Sequence, residues 1–163
     1  MVYVGAHLST GKGWEKTVAK ALELGATCFQ YFPKNPKSNR PKTVDWEAGR
    51  AAAELAAAHG ILTLAHSPYV TNLSSSDPAL HEKTVTSVAN DLALAEAFGT
   101  PYVVVHCGKH LGEGEEQGEA RMAATIDEIL SAYSGPTLLL LENTAGQGTE
   151  LGQSPAELMR IRG

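Results

Sequence analysis

The sequence predicts an α/β fold in which a parallel sheet is covered by helices. Three observations predict it. Five apolar, strand-like segments alternate with five amphipathic helical segments. Start and stop signals for helices recur between the apolar runs. Polar residues gather where strands end: His7, His66, His106 and Glu142.

Each element can be justified in order. "VYVGAHLS" reads as the first strand. A helical stretch follows with Trp14, Val18, Ala21 and Leu22, stopped by Gly25. "TCFQYFP" is the second strand; after a polar loop, Asp45 caps a helix that runs through Leu55 to Gly60. "ILTLAH" is the third strand. Asp77-Pro78 opens a helix with Val85, Val88, Leu92 and Ala95 on one face, and Gly99 closes it. "PYVVVH" is the fourth strand, followed by a helix carrying Met122, Ile126, Ile129 and Leu130. "TLLLLEN" is the fifth, a run of leucines that reads as a buried strand. Ser154-Pro155-Ala156-Glu157 then forms a capping box with proline in the first turn. Strand ends form the functional face of both a (β/α)8 barrel and a doubly wound sheet. No Gly-x-Gly-x-x-Gly follows the first strand, which leaves a dinucleotide fold with little support.

Composition narrows the classes. At 163 residues, with 43% hydrophobic and 19% charged residues, the chain suits one domain with a real core. No apolar run approaches the roughly 20 residues of a membrane span. The N-terminus lacks a basic region before an apolar stretch, and Cys28 and Cys107 form no C-x-x-C pair; the expectation is a cytoplasmic protein without a signal peptide. With a net charge of −5, any contact with nucleic acid must come from a local basic patch or a bound metal.

A strand of leucines that ends on Glu142 raises a physical question, because a buried, unpaired carboxylate is costly. A cation would answer it. His66 ends the third strand, His106 the fourth and Glu142 the fifth. Parallel strands about 4.8 Å apart would bring these side chains into one mouth. Two histidines and a carboxylate form a catalytic zinc set with an open position for water. Any one of them alone reads as an ordinary polar residue at a strand end. Three at the same end of successive strands point to a metal, although spacing does not name the ion.

The segments "YVGAHLS", "HSPYVTNL", "VVHCGKHLG" and "LENTAGQGTELG" resemble endonuclease IV, the zinc-dependent family of apurinic/apyrimidinic endonucleases. The resemblance runs from Val2 to the final helix, and "ENTAGQG" is its most specific motif. It implies a (β/α)8 barrel with three metal ions at the strand ends and cleavage of DNA on the 5′ side of an abasic site. By matching motifs, His66, His106 and Glu142 correspond to metal ligands and carry the catalysis, with Glu142 bridging two ions. His7 and His110 match family positions but are not carried over as ligands; His7 would line the pocket floor. His59 and His81 read as helix-end and surface residues.

The chemistry this implies is hydrolysis by zinc-activated water without a side-chain nucleophile. DNA contact would come from "KNPKSNRPK", whose Lys34, Lys37, Arg40 and Lys42 stand without an acid among them. Lys34, Asn35, Lys37 and Arg40 suit phosphate contact, though on composition alone such a loop is equally a solvated surface. Lys37, Tyr69 and Val70 match the positions with which family members probe the duplex. The sequence departs from the family at Lys37, where arginine is familiar, and at Cys107, which replaces a proline.

The larger departure is length. A complete barrel is typically ~250 residues. Residues 1–163 would form a single domain, the N-terminal part of a barrel with about its first five βα units. The family's later ligands, including a D-x-H motif, have no counterpart here. Ligands for about one zinc are present, and the chain would self-associate or need a complementing C-terminal segment. Its expected partner is double-stranded DNA with abasic sites, with no membrane. Two other readings compete: a metal-dependent sugar isomerase or epimerase on a related barrel, and a non-catalytic DNA-binding or assembly fragment.

Overall fold

The computed structural model describes residues 2–162. Its elements run β1 (Gly5–Leu8), α1 (Trp14–Glu23), β2 (Cys28–Tyr31), α2 (Trp46–Ala58), β3 (Leu62–His66), α3 (Pro78–Ala97), β4 (Tyr102–His106), α4 (Glu115–Ala132), β5 (Leu138–Glu142) and α5 (Pro155–Arg162). The five strands form one parallel sheet in the order β1-β2-β3-β4-β5. A doubly wound sheet reverses direction partway and covers both faces. Sequential order with right-handed crossovers instead puts every helix on one face, which is the arrangement of a barrel wall. Successive helices accordingly pack side by side, α1 on α2 through to α4 on α5.

Local signals act as the sequence predicts. Asp45 Oδ1 accepts from Ala48 N at 3.0 Å to start α2, and Asp77 Oδ1 accepts from Ala79 N at 2.9 Å to start α3. The box at α5 is half-formed as expected. Ser154 Oγ accepts from Glu157 N, but the Glu157 carboxylate reaches past Ser154 to Gly152 N (2.6 Å) and Gln153 N (2.8 Å). Those two N–H groups belong to the loop after β5, so the cap also fixes that loop against α5.

The side-chain period of 2 divides each strand between two environments. Phe29, Tyr31, Ala65, Val103 and Val105 point to the helices and are buried. There Trp14 and Tyr31 pack edge-on against Phe98, with ring centroids 4.6 and 5.2 Å away. The Tyr31 hydroxyl is satisfied by Thr100 Oγ1 at 2.9 Å, which also meets Thr63 Oγ1 at 2.7 Å. The opposite register points into the concave face: His7, Gln30, Leu62, Tyr102, Leu138 and, at the strand ends, His66, His106 and Glu142. The expectation that the leucine run is fully buried is corrected here. Leu139 and Leu141 pack on the core, whereas Leu138 is 58% and Leu140 38% exposed on a face that no described residue covers.

Candidate metal centre and nucleic-acid face

Period and register place the three ligand candidates. His106 is directly opposite Glu142 across the β4–β5 ladder, and His66 pairs with Val104, one inward step down the same face. Their ligand atoms all lie within 4.8 Å of one another. His66 Nε2 is 3.0 Å and His106 Nδ1 3.5 Å from the same oxygen, Glu142 Oε2.

The hydrogen bonds around this cluster decide what it can hold. The Nδ1–H of His66 donates to Ser67 O at 2.7 Å, a carbonyl that can only accept. That bond fixes the tautomer and leaves the Nε2 lone pair facing Glu142, the arrangement of a metal-binding histidine oriented from behind. Two lone-pair acceptors 3.0 Å apart repel unless a proton or a cation lies between them. His106 Nδ1 faces the same oxygen, so three potential donor atoms converge on one point. Among the described residues no lysine or arginine pairs with Glu142, so the donor set fits a divalent ion. Glu142 is not deeply buried, with its side chain 41% exposed, which leaves room for further ligands and substrate.

Cys107 stands between these residues without joining them. Its buried Sγ–H donates to Glu142 O at 3.4 Å, and burial pushes the thiol up to about 12. It braces the backbone of the β5 end and provides neither thiolate ligand nor nucleophile at neutral pH.

Loops after the strands are tied to one another. Asn72 Oδ1, in the loop after β3, accepts from Lys109 N at 2.9 Å in the loop after β4. The intervening Gly108 has φ +102°, and a Cβ there would collide with Asn72 Oδ1, so glycine is required. Leu151 N donates to Gly108 O and His110 N to Thr149 O, which seats the glycine-rich loop after β5 on its neighbour. Tyr69, Asn72, His106, Lys109, Thr144 and Glu150 line a cleft of about 320 Å³ beside the ligand cluster. Tyr69 is 65% exposed and Val70 also stands out on the rim. Phe32 packs edge-on between Tyr69 (5.0 Å) and His66 (5.6 Å) and supports both.

The basic loop divides. Lys37 and Arg40 are exposed. Assignment of Lys34 to phosphate is corrected: its side chain is 3% exposed, and Nζ lies 2.5 Å from Asp91 Oδ1 and 2.6 Å from Ser87 O. Burial pushes the Lys34 ammonium down and the Asp91 carboxyl up, and each partner opposes the other's shift. Asn35 is also partly committed, since its Oδ1 accepts from Lys37 N at 2.9 Å in a local turn. His7 bonds Gln30 Oε1 at 3.0 Å on the concave face; His81 meets Glu128, and His59 ends α2. Ser67 and Phe32 escape a reading of motifs, because neither residue type announces an orienting role; their positions one residue beyond a strand end are the only signal.

Residues 18–163 match the family described as xylose isomerase-like TIM barrel. The probable endonuclease 4 of Symbiobacterium thermophilum is 46% identical over 159 residues, which cover 98% of this chain and 58% of that protein. The crystal structure of endonuclease IV from Thermus thermophilus superposes with a TM-score of 0.83 at 35% identity, covering 98% of this chain and 58% of that one. A D-tagatose 3-epimerase-like protein superposes with a TM-score of 0.72 at 18% identity, covering 98% and 60%, a likeness of fold alone. The chain thus spans under three-fifths of the length of the curated relatives it matches. The motif resemblance and the partial barrel are both borne out.

Proposed function

The chain belongs to the xylose isomerase-like TIM barrel family, and from that premise we propose that it forms the N-terminal part of a DNA repair endonuclease. The reaction proposed is hydrolysis of the phosphodiester 5′ to an apurinic or apyrimidinic site in duplex DNA. One observation carries this reading: His66 Nε2 and His106 Nδ1 converge on one oxygen of Glu142 at the strand ends, beside Tyr69, whose N–H bonds Pro36 O in the loop that carries Lys37 and Arg40. Relatives named endonuclease support it at identities where the likeness exceeds fold.

His66, His106 and Glu142 would hold the ion. When bound, zinc supplies Lewis-acid polarisation of the phosphodiester and a water acidic enough to ionise near neutral pH. The residues of this chain do the rest. Ser67 O orients His66, and Cys107 braces the backbone that carries Glu142. Lys37 and Arg40 neutralise phosphates flanking the site, and Tyr69 and Val70 press against the duplex where the abasic nucleotide is displaced. A cytoplasmic setting accords with the two free cysteines. No helix among the described residues is long and apolar enough to cross a membrane.

The test has two parts. Elemental analysis after dialysis should find about one zinc per chain, the number that one three-residue donor set can hold. Adding a separately made C-terminal segment from a full-length relative should then produce cleavage of an abasic duplex on its 5′ side. Failure to retain zinc, or turnover of a keto sugar with no abasic cleavage, would overturn the reading.

A further inference from the structure

The loop that carries Lys37 and Arg40 is held at both ends by one turn of α3. At its start, Lys34 Nζ reaches Asp91 Oδ1 (2.5 Å) and Ser87 O (2.6 Å). At its far end, Lys42 N donates to Asn90 Oδ1 at 2.8 Å, and Asn90 Nδ2 donates back to Lys42 O at 2.9 Å. Between these points the loop is folded on itself: Ser38 N donates to Asn35 O, and Arg40 N to Ser38 Oγ at 3.1 Å. It is also joined to the probing loop, because Tyr69 N donates to Pro36 O at 3.0 Å.

We infer that Asn90 and Asp91, adjacent on α3, are positioning residues for DNA recognition: together they clamp the two ends of residues 34–42 and fix where Lys37 and Arg40 meet the phosphates. Neither touches the nucleic acid. A free loop of this length would have to be ordered on binding, and that ordering would subtract from affinity. Clamping it beforehand removes much of the cost without adding a charge. The division of labour explains why a lysine in a basic loop is buried: Lys34 serves as an anchor, and its charge is spent on Asp91 so that the neighbouring cations stand outward. It also explains the two-way bond at Asn90, since an amide can hold both the N–H and the C=O of Lys42 and so fix the orientation of that peptide unit.

The inference rests on the reading of Lys37 and Arg40 as phosphate contacts, and it has a signature separate from theirs. The slope of affinity against salt counts neutralised phosphates. Losing a cation lowers both affinity and slope; loosening the clamp lowers affinity and leaves the slope. Asn90→Ala is the variant of choice because Asn90 lies outside the buried pair, and its melting curve checks that the fold is intact. Amide exchange at Lys42 and binding to a short duplex with a stable abasic analogue are measured across salt, with Lys37→Ala alongside. The expected result for Asn90→Ala is faster exchange at Lys42, an affinity about 3- to 10-fold weaker and an unchanged slope. Asp91→Asn, which keeps the shape but weakens the anchor, should shift affinity in the same direction. Faster exchange with wild-type affinity would overturn the clamp while Lys37→Ala still lowers the slope. If Lys37→Ala also binds as wild type, the phosphate reading falls first and the clamp with it.

Discussion

The two faces of the sheet differ in almost every physical respect. The helix-facing side is closed: Phe29, Tyr31, Val103 and Val105 are buried, the rings of Trp14 and Phe98 interlock with them, and even the hydroxyls of Tyr31 and Thr63 find a partner in Thr100. The concave side is open. It exposes Leu62, Tyr102, Leu138 and Leu140, and it carries His66, His106 and Glu142 at its upper rim. Half of each strand's side chains therefore provide a core that this chain completes by itself. The other half form a surface whose apolar floor is left open to an opposite wall and whose polar rim, on the function proposed above, would take a cation and its substrate. Stability and function are separated by the pleat, one residue apart along each strand.

The largest test of this separation is the buried pair on the closed side. Removing one partner of a buried ion pair strands the other charge, at a cost of about 3–5 kcal/mol. Lys34→Ala should destabilise the chain by that order in urea unfolding, whereas Lys34→Met combined with Asp91→Leu should lie near wild type because no charge is left buried. A Lys34→Ala protein as stable as wild type would show that the pair does not belong to the core.

On the open rim, His106→Ala should do the reverse. Its side chain is 37% exposed and its ring meets His66 and Tyr69 on the rim rather than the core, so the melt should hardly move. Zinc affinity should fall by about 100-fold or more, since ligand loss acts on binding directly. Competition with a chromophoric chelator measures this, and equal affinities for the variant and wild type would remove His106 from the ligand set.

The concave floor comes next. Contiguous exposed apolar surface promotes association, and β5 pairs on one side only among the described residues. Replacing Leu138 and Leu140 with threonine keeps strand propensity and should change stability by only about 0.5 kcal/mol each. Light scattering should show less self-association. Undiminished association, or a stability loss typical of core leucines, would mean that this face is already covered.

These contrasts mark what could be read from sequence. The strands, the helices and the convergence of His66, His106 and Glu142 were legible because they follow from period, capping and strand order, all local or regular quantities. The exposure of Leu138 and Leu140 was not, because an unbroken leucine run looks the same whether one or both of its faces are covered. The burial of Lys34 was not legible either. "KNPKSNRPK" reads as one basic stretch, and what separates Lys34 from Lys37 is Asp91, 57 residues away, on a polar stripe of α3 that shares the helix with its apolar face. Long-range pairing of single side chains leaves no periodic trace.

The smallest expected effect makes the finest cut, because it divides neighbours in one loop. Lys34 belongs to the closed side and Lys37 to the open one, although two residues separate them. Their alanine variants should fail in different experiments. Lys37 is exposed, and its backbone N–H, which bonds Asn35 Oδ1, survives truncation of the side chain. Lys37→Ala should therefore unfold like wild type, within about 0.5 kcal/mol. What it should lose is one phosphate contact, seen as a fall of up to about 0.9 in the slope of log affinity against log salt. The effect on affinity should be largest at low salt and fade as salt rises, because counterion release weakens with it. An unchanged slope would return Lys37 to ordinary solvated surface and leave Arg40 as the cation to test; a destabilised Lys37→Ala protein would show that the boundary between the two faces lies further out along the loop than Pro36.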